Sequence, residues 1–298
     1  MTRALVLSGG GPVGIAWEAG LIAGLAEGGV HLAKADYILG TSAGSFVGSQ
    51  LAMGRDPGDM AAAIIAEADR ADAASKISSA QAQRPAGTPG TGMTRLMELM
   101  AAARSGDRDP QDVRREIGAF ALESRTVDED AFIKSFGRQL AEAQGDVWPK
   151  GNFACTAVDA LTGDFVVWDA SSKVGLARAV ASSCSVPGVY PPITINGRRY
   201  IDGGMRSGSN ADLAKGHDLV LILALRTASA PVGMRAPLER EMDELKAAGS
   251  RVETIYPDEA SMAAFGANMM NAQVRPAAAK AGLEQGRALG KSVGEYWV

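Results

Sequence analysis

The chain has 298 residues, of which 46% are hydrophobic and 21% are charged, and its formal net charge at pH 7 is −4. This composition is typical of a globular protein and provides no basic surface for nucleic acid, which we exclude as a partner. The two cysteines are too few for a disulfide framework or a cysteine-rich zinc site. No apolar run approaches the ~18 residues that cross a bilayer, and no signal peptide is recognisable. We expect a cytoplasmic protein that uses neither a metal nor a cofactor.

The first 53 residues alternate between strand and helix patterns. A short apolar run at Ala4–Leu7 predicts a buried strand, and helical spacing follows from Ile15 to Leu25. A second strand is predicted at Tyr37–Leu39 and a second helix at Ser45–Met53. Strand, turn and helix repeated in this order favour a parallel α/β sheet.

The middle of the chain differs in composition. Residues 71–92 are rich in Ala, Ser, Gln, Gly and Pro, which is typical of a mobile loop. Three helices are predicted after this loop, at Met93–Arg104, Asp112–Leu122 and Asp128–Ala143. We therefore expect a mobile helical insertion at about 71–150, which could act as a lid.

Strand patterns return in the second half of the chain. Two closely spaced strands, Phe153–Val158 and Phe165–Trp168, are expected to pair as a hairpin. The further predicted strands are Arg199–Ile201, Leu219–Leu225 and Arg251–Tyr256, and the predicted helices are Gly175–Ser183, Pro237–Ala248 and Ala260–Gly290. We expect one α/β domain over residues 1–298, with a central, mostly parallel sheet flanked by helices.

A G-x-S-x-G sequence lies between the second predicted strand and its helix. Gly40 and Gly44 flank Ser42, as in a nucleophile elbow, where a strained turn lifts the serine hydroxyl out of the sheet edge. The following helix directs its amides and its positive dipole end toward charge that forms there. The alternative is an ordinary serine that caps a helix behind a glycine turn.

The glycine run Gly9–Gly14 ends the first strand and opens a helix. As a G-x-G-x-x-G motif it could bind a dinucleotide, but that function requires an acidic residue after the second strand, and Asp36 precedes that strand. Alternatively, the amides of Gly10 and Gly11 form an oxyanion hole above Ser42. Adjacent parallel strands place both turns at one sheet edge, so the oxyanion hole explains both motifs.

A serine nucleophile needs a base, and the chain has only two histidines, His31 and His217. Each precedes a predicted strand and so lies at the wrong end of the sheet for Ser42. The remaining candidate is Asp202, which ends a strand and begins the Asp-Gly-Gly sequence with Gly203 and Gly204. Seen alone, this sequence is also typical of a simple turn.

In combination, the three motifs resemble the patatin-like phospholipase family. The resemblance covers roughly residues 4–53 and 152–225, and it includes Ala181-Ser182 followed by Pro187. It implies a Ser42–Asp202 dyad without histidine and an oxyanion hole at Gly9, Gly10 and Gly11. The implied reaction is the cleavage of lipid acyl esters through a Ser42 acyl-enzyme, with transient contact to a membrane surface.

One position departs from the family pattern. Relatives commonly have Arg or Lys two residues after the glycine triplet, where this chain has Val13. This difference puts phospholipid headgroup recognition in doubt and mildly favours an esterase or thioesterase acting on soluble acyl substrates. A pseudoenzyme scaffold is a further alternative, although the motif residues are intact.

Two other features have competing interpretations. Met93, Leu96, Met97 and Met100 are expected on one face of a helix, which forms either core or the wall of an acyl-chain site. Cys184 is interpreted as a small buried filler rather than a second nucleophile.

Overall fold

The computed structural model describes residues 1–68, 91–103, 108–144, 147–149, 153–225 and 232–297. Its N-terminal part follows the predicted alternation of strand and helix. The elements are β1 (Arg3–Leu7), α1 (Gly11–Glu27), β2 (Tyr37–Gly40), α2 (Ala43–Ala52) and α3 (Pro57–Ile65). Each of the first two strands passes directly into a helix, as the sequence predicts.

Three helices follow, close to their predicted bounds: α4 (Thr91–Ala103), α5 (Pro110–Glu123) and α6 (Glu129–Gln144). The predicted loop over 71–92 lies almost wholly outside the described residues. Helix α5 begins where it does because the Asp109 carboxylate accepts from the amide of Gln111 at 2.7 Å, with Pro110 at the first helical position.

Helix α4 packs against α5 through leucines rather than through a methionine face. Leu96 and Leu99 are buried and Met100 is partly buried beside them, in a cluster with Val113 and Ile117 of α5. Met97 is 53% exposed, so the prediction that it shares the buried face is wrong. The reason is helical geometry, since residues 96, 99 and 100 share one side and residue 97 is turned by about 100°.

The C-terminal half completes the sheet and its helices. Its strands are β3 (Phe153–Asp159), β4 (Phe165–Trp168), β5 (Ile193–Ile195), β6 (Arg198–Asp202), β7 (Leu219–Leu223) and β8 (Arg251–Ile255). Its helices are α7 (Leu176–Ser183), α8 (Val232–Ala247), α9 (Glu259–Phe265) and α10 (Arg275–Trp297). The stretch over 260–290 is mainly helical, as predicted, but it contains two helices, because Gly266, with a φ of 64°, ends α9 well before α10 begins.

The described residues form one eight-stranded sheet in the order β5-β6-β3-β2-β1-β7-β8, with β4 paired to β3. Strands β3, β2, β1, β7 and β8 are parallel neighbours, whereas β4, β5 and β6 are joined antiparallel. Leu7 is aligned with Gly40 of β2 and with Leu223 of β7. The turns after β1 and β2 therefore meet at one edge of the sheet, as predicted.

Both faces of the sheet are buried, as expected for parallel strands between helices. Leu5 and Leu7 of β1 pack into the core on one side, and Ala4 and Val6 pack into a second cluster on the other. No helix within the described ranges is long and apolar enough to cross a bilayer.

Candidate active site

Ser42 lies on a strained turn between β2 and α2. Its φ of 53° and ψ of −119° are sparsely populated by residues other than glycine, as expected for a nucleophile elbow. The turn closes only because its neighbours are small. A Cβ at Gly44 would overlap the carbonyl of Leu7, and one at Gly40 would overlap the backbone of Ser45. The serine is therefore held at the edge of the sheet, where the motif predicts it.

Asp202 ends β6 at the same edge. It is aligned with Ala157 of β3, and two residues earlier on β3 Cys155 is aligned with Gly40 of β2. This register brings the predicted nucleophile and base together. The following glycines allow close packing, since a Cβ at Gly203 would overlap Thr156.

The carboxyl group of Asp202 is buried and incompletely hydrogen-bonded. Its Oδ1 accepts from the amide of Gly204 at 2.7 Å, but its buried Oδ2 has no partner among the described residues. Burial raises the pKa of Asp202 to about 7, while the nearby Ser42 hydroxyl and the Gly204 amide lower it. A carboxyl with this pKa is a much stronger base than an exposed aspartate.

The glycine turn after β1 presents two free donors rather than three. The amide of Gly9 donates to the carbonyl of Gly208 at 2.8 Å, whereas those of Gly10 and Gly11 have no acceptor among the described residues. Gly9 instead allows the glycine turn to pack closely against Ser42, because a Cβ at Gly9 would lie 3.2 Å from the Cβ of Ser42. The amide of Ala43, at the start of α2, is also without an acceptor within the described ranges, in agreement with the expectation that this helix directs its amides toward the site.

Both histidines lie away from this edge. His217 stacks on Tyr37, at the start of β2, with ring centroids 5.3 Å apart, and its Nδ1 lies 2.9 Å from the carbonyl oxygen of Ala214. His31 precedes the turn of 3₁₀-helix that leads into β2. Strand β2 separates Tyr37 from Gly40 by roughly 10 Å at 3.3 Å per residue. Neither histidine is placed to serve Ser42.

An apolar cavity of about 250 Å³ opens over Ser42. Helix α6 forms one wall with Phe132 and Phe136, and Tyr190 stacks on Phe132 with centroids 4.5 Å apart. Met270, from the segment between α9 and α10, lies over the glycine turn, where a Cβ at Gly11 would come within 2.8 Å of its sulfur. The α4 face is not among the described residues that line this cavity, which agrees with the alternative that this face forms core.

A buried network of hydrogen bonds connects the turn that carries Ser42 to neighbouring parts of the sheet. The hydroxyls of Thr41 and Thr156 are 2.9 Å apart, and the Asn210 side-chain amide donates to Thr41 at 3.1 Å and to the carbonyl of Ser207 at 2.8 Å. Asn210 adopts a φ of 51° to reach them. The network ties β2 to β3 and to the loop that follows Asp202, and no local sequence signal identifies it.

The end of α7 holds the elbow from the other side. The amide of Ser42 donates to the Ser183 hydroxyl at 3.1 Å, and the Cys184 thiol donates to the Ser42 carbonyl at 3.1 Å. Ser182, noted in the resemblance, instead accepts from the Trp168 indole at 3.1 Å. Burial strongly raises the pKa of Cys184, which disfavours a thiolate and agrees with its interpretation as a filler.

No group of three or more potential metal ligands occurs in the described parts of the chain. A mostly parallel sheet, a strained serine at its edge and an apolar cavity above it are typical of α/β acyl hydrolases. A sequence model of the family "patatin-like phospholipase" matches residues 5–215. The chain belongs to this family, and its membership supports a lipid acyl hydrolase activity.

Solved structures with a similar fold include VipD from Legionella pneumophila, at 16% identity over 98% of this chain and 67% of that one, with a TM-score of 0.49. Another is ExoU, in its complex with SpcU from the type III secretion system of Pseudomonas aeruginosa, at 18% identity over 99% and 52%, with a TM-score of 0.43. The chain thus spans about two thirds of VipD and about half of ExoU. Comparison with curated protein sequences gives no significant match.

Proposed function

We propose that this chain hydrolyses lipid-like acyl esters with Ser42 as the nucleophile and Asp202 as its general base. The observation that carries the proposal is the buried Asp202 carboxyl, whose Oδ2 has no partner among the described residues and whose pKa is raised to about 7 beside the Ser42 hydroxyl. Near neutral pH such a carboxyl can take up and return a proton, as base catalysis requires.

The reaction proceeds in two halves. Asp202 accepts the Ser42 proton while the hydroxyl oxygen attacks the ester carbonyl, and the tetrahedral intermediate expels the alcohol, which takes that proton. Water then attacks the acyl-enzyme, Asp202 receives its proton, and Ser42 regains one as the fatty acid leaves. Free amides of Gly10 and Gly11 stabilise the oxyanion in both halves, with the positive end of the α2 dipole behind Ser42.

Single-chain esters, acted on at a membrane surface or in solution, fit this site best. The cavity of about 250 Å³ is below the ~300–1,000 Å³ of typical sites for drug-sized ligands, which favours one acyl chain over two. Val13 is fully buried, so that position offers no contact to a headgroup. An esterase or thioesterase acting on soluble acyl substrates is the second candidate, and the burial of Val13 favours it.

Labelling with a fluorophosphonate probe, which requires an activated serine, tests the proposal. We expect labelling and ester turnover in the parent chain and neither in Ser42→Ala. Asp202→Asn should lose on the order of 10²-fold or more in turnover, the scale of general-base catalysis. Persistent labelling of Ser42→Ala, or full turnover by Asp202→Asn, would refute the dyad.

A further inference from the structure

Arg275 introduces a positive charge into a cavity whose other described lining residues are uncharged. It is the first residue of α10 and the one charged residue among the described residues lining the cavity over Ser42. Arg275 and Tyr190 line the same cavity, and the positive charge of Arg275 partly offsets the rise that burial causes in the pKa of that tyrosine. Arg275 lies outside the part of the chain that matches the family, so the family motifs assign it no role.

The hydrogen bonds of Arg275 are incomplete. Its Nη2 lies 3.0 Å from Oε1 of Glu67, whose side chain is 36% exposed. Its Nε is buried and has no acceptor among the described residues. A buried N–H without an acceptor is costly, and an ion pair that is still partly exposed to solvent contributes only modestly in return. The hydrogen bonds of Arg275 therefore give little reason, in terms of stability, for a guanidinium at the wall of this cavity.

Arg275 also stands between two cavities. A second cavity of about 180 Å³ shares Ile15, Phe46 and Arg275 with the first. Its lining includes Arg55, which donates from Nη1 to the Gln50 side chain at 2.6 Å, together with Glu67. Among the described residues that line this second cavity, two guanidinium groups face one carboxylate, which leaves an excess of positive charge beside the apolar cavity.

We propose that Arg275 is a specificity-determining residue that binds an anionic oxygen group of the substrate, either a phosphate or a carboxylate. Resting on the proposed function, this inference narrows the substrate to a single-chain acyl ester that carries a negative charge. The planar guanidinium of Arg275 lines the cavity and carries several N–H donors, which bind an oxyanion more strongly than neutral donors do. The anion competes with Glu67, which holds Nη2 in the free protein.

Two matched substrate pairs test the inference. One pair is 1-octanoylglycerol and its 3-phosphate, and the other is the p-nitrophenyl ester of octanoic acid and the p-nitrophenyl monoester of octanedioic acid. For each pair, the ratio of kcat/KM for the charged member to that for the neutral member is measured in low-salt buffer. We expect a ratio above one for the phosphate pair if the anion is a headgroup, and for the carboxylate pair if it lies on the acyl chain.

Substitutions then test whether Arg275 causes the preference for the charged substrate. Arg275→Gln should lower the favoured ratio at least about tenfold, through KM, and Arg275→Lys should restore part of it. Glu67→Gln should raise the ratio, because it removes the competing carboxylate. The control is Lys280→Gln, which removes an equal charge from an exposed position on α10 and should leave the ratio unchanged. Ratios near one in the parent for both pairs, or an equal fall for both members in Arg275→Gln, would overturn the inference.

Binding to an inactive chain separates this inference from the proposed function. In a Ser42→Ala background, calorimetry below the critical micelle concentration should show tighter binding of the charged member of the favoured pair. Adding Arg275→Gln should abolish that difference. If the parent hydrolyses none of the four esters, the proposed function fails, and this binding experiment alone decides the role of Arg275. Equal binding of both members of each pair would refute it.

Discussion

Replacing Asp202 by Asn should inactivate the protein and, as the pH rises, make it more stable relative to the parent. The buried carboxyl has a pKa of about 7, against an ordinary value of 3.8. The folded chain therefore holds this proton more tightly than the unfolded chain does. Such a group contributes stability at low pH and loses that contribution as the pH rises through about 7. Asparagine has nearly the same shape and does not titrate.

The size of the effect follows from the pKa difference of about 3, at 1.36 kcal/mol for each unit. Ionising Asp202 costs the folded state about 4 kcal/mol at pH 8 but less than about 2 kcal/mol at pH 5. The difference in unfolding free energy between Asp202→Asn and the parent should thus change by about 2–3 kcal/mol between these pH values. For a chain of this length that corresponds to about 4 °C in Tm.

Thermal melts of both proteins from pH 5 to pH 8 measure this change. Any pH-independent effect of the new amide on the free energy of unfolding is the same at each pH and does not alter the trend. The groups that titrate in both proteins cancel when the parent is subtracted from the variant. Asp243→Asn, a substitution at an exposed position on α8, is the control and should show no such trend. A pH-independent difference between Asp202→Asn and the parent would refute the argument that burial makes Asp202 a stronger base.

Four further outcomes are expected. Ser42→Gly should be as inactive as Ser42→Ala. In thermal melts it should be more stable than Ser42→Ala by about 1 kcal/mol, because a φ of 53° strains a residue with a Cβ. Equal stability of the two variants would argue against backbone strain at this position. Phe136→Ala should move the optimum in a p-nitrophenyl ester series to longer acyl chains, whereas an unchanged optimum would place the chain elsewhere. The double variant His31→Gln, His217→Gln should keep most esterase activity, and its loss would point to a histidine base. The kcat/KM should rise with pH through about 7, as ionised Asp202 is the base; a flat profile from pH 5 to 8 would contradict this.

The arrangement of the candidate site at one edge of the sheet could be predicted because its signals are local. A short apolar strand that ends in glycine and passes into a helix places a turn at the carboxyl end of a strand. Two such patterns, before Gly11 and before Ser42, were enough to place the two turns side by side. The sequence ending in Asp202 added a third strand end, and the register of β3 with β2 and β6 joins all three.

Features that depend on long-range contacts could not be predicted. The amide of Gly9 is engaged by Gly208, about two hundred residues away, and so only Gly10 and Gly11 keep free donors in that turn. Phe132 and Met270 reach the cavity from helices and segments whose packing no local pattern specifies. On α4, Met97 is exposed while Leu96, Leu99 and Met100 face α5, and which side of this helix is buried depends on where α5 packs.

The site therefore divides into two parts with different origins in the chain. Ser42, Asp202 and the glycine turn lie within residues 5–215, where the family match ends. Met270 and Arg275 line the cavity from outside that range, and Met270 lies directly against the turn that carries the free amides. Substitutions in the later segment can alter the shape and charge of the cavity without touching the reacting groups. Selectivity for the acyl ester should thus be separable from turnover, and Arg275 is the residue at which that separation can be measured.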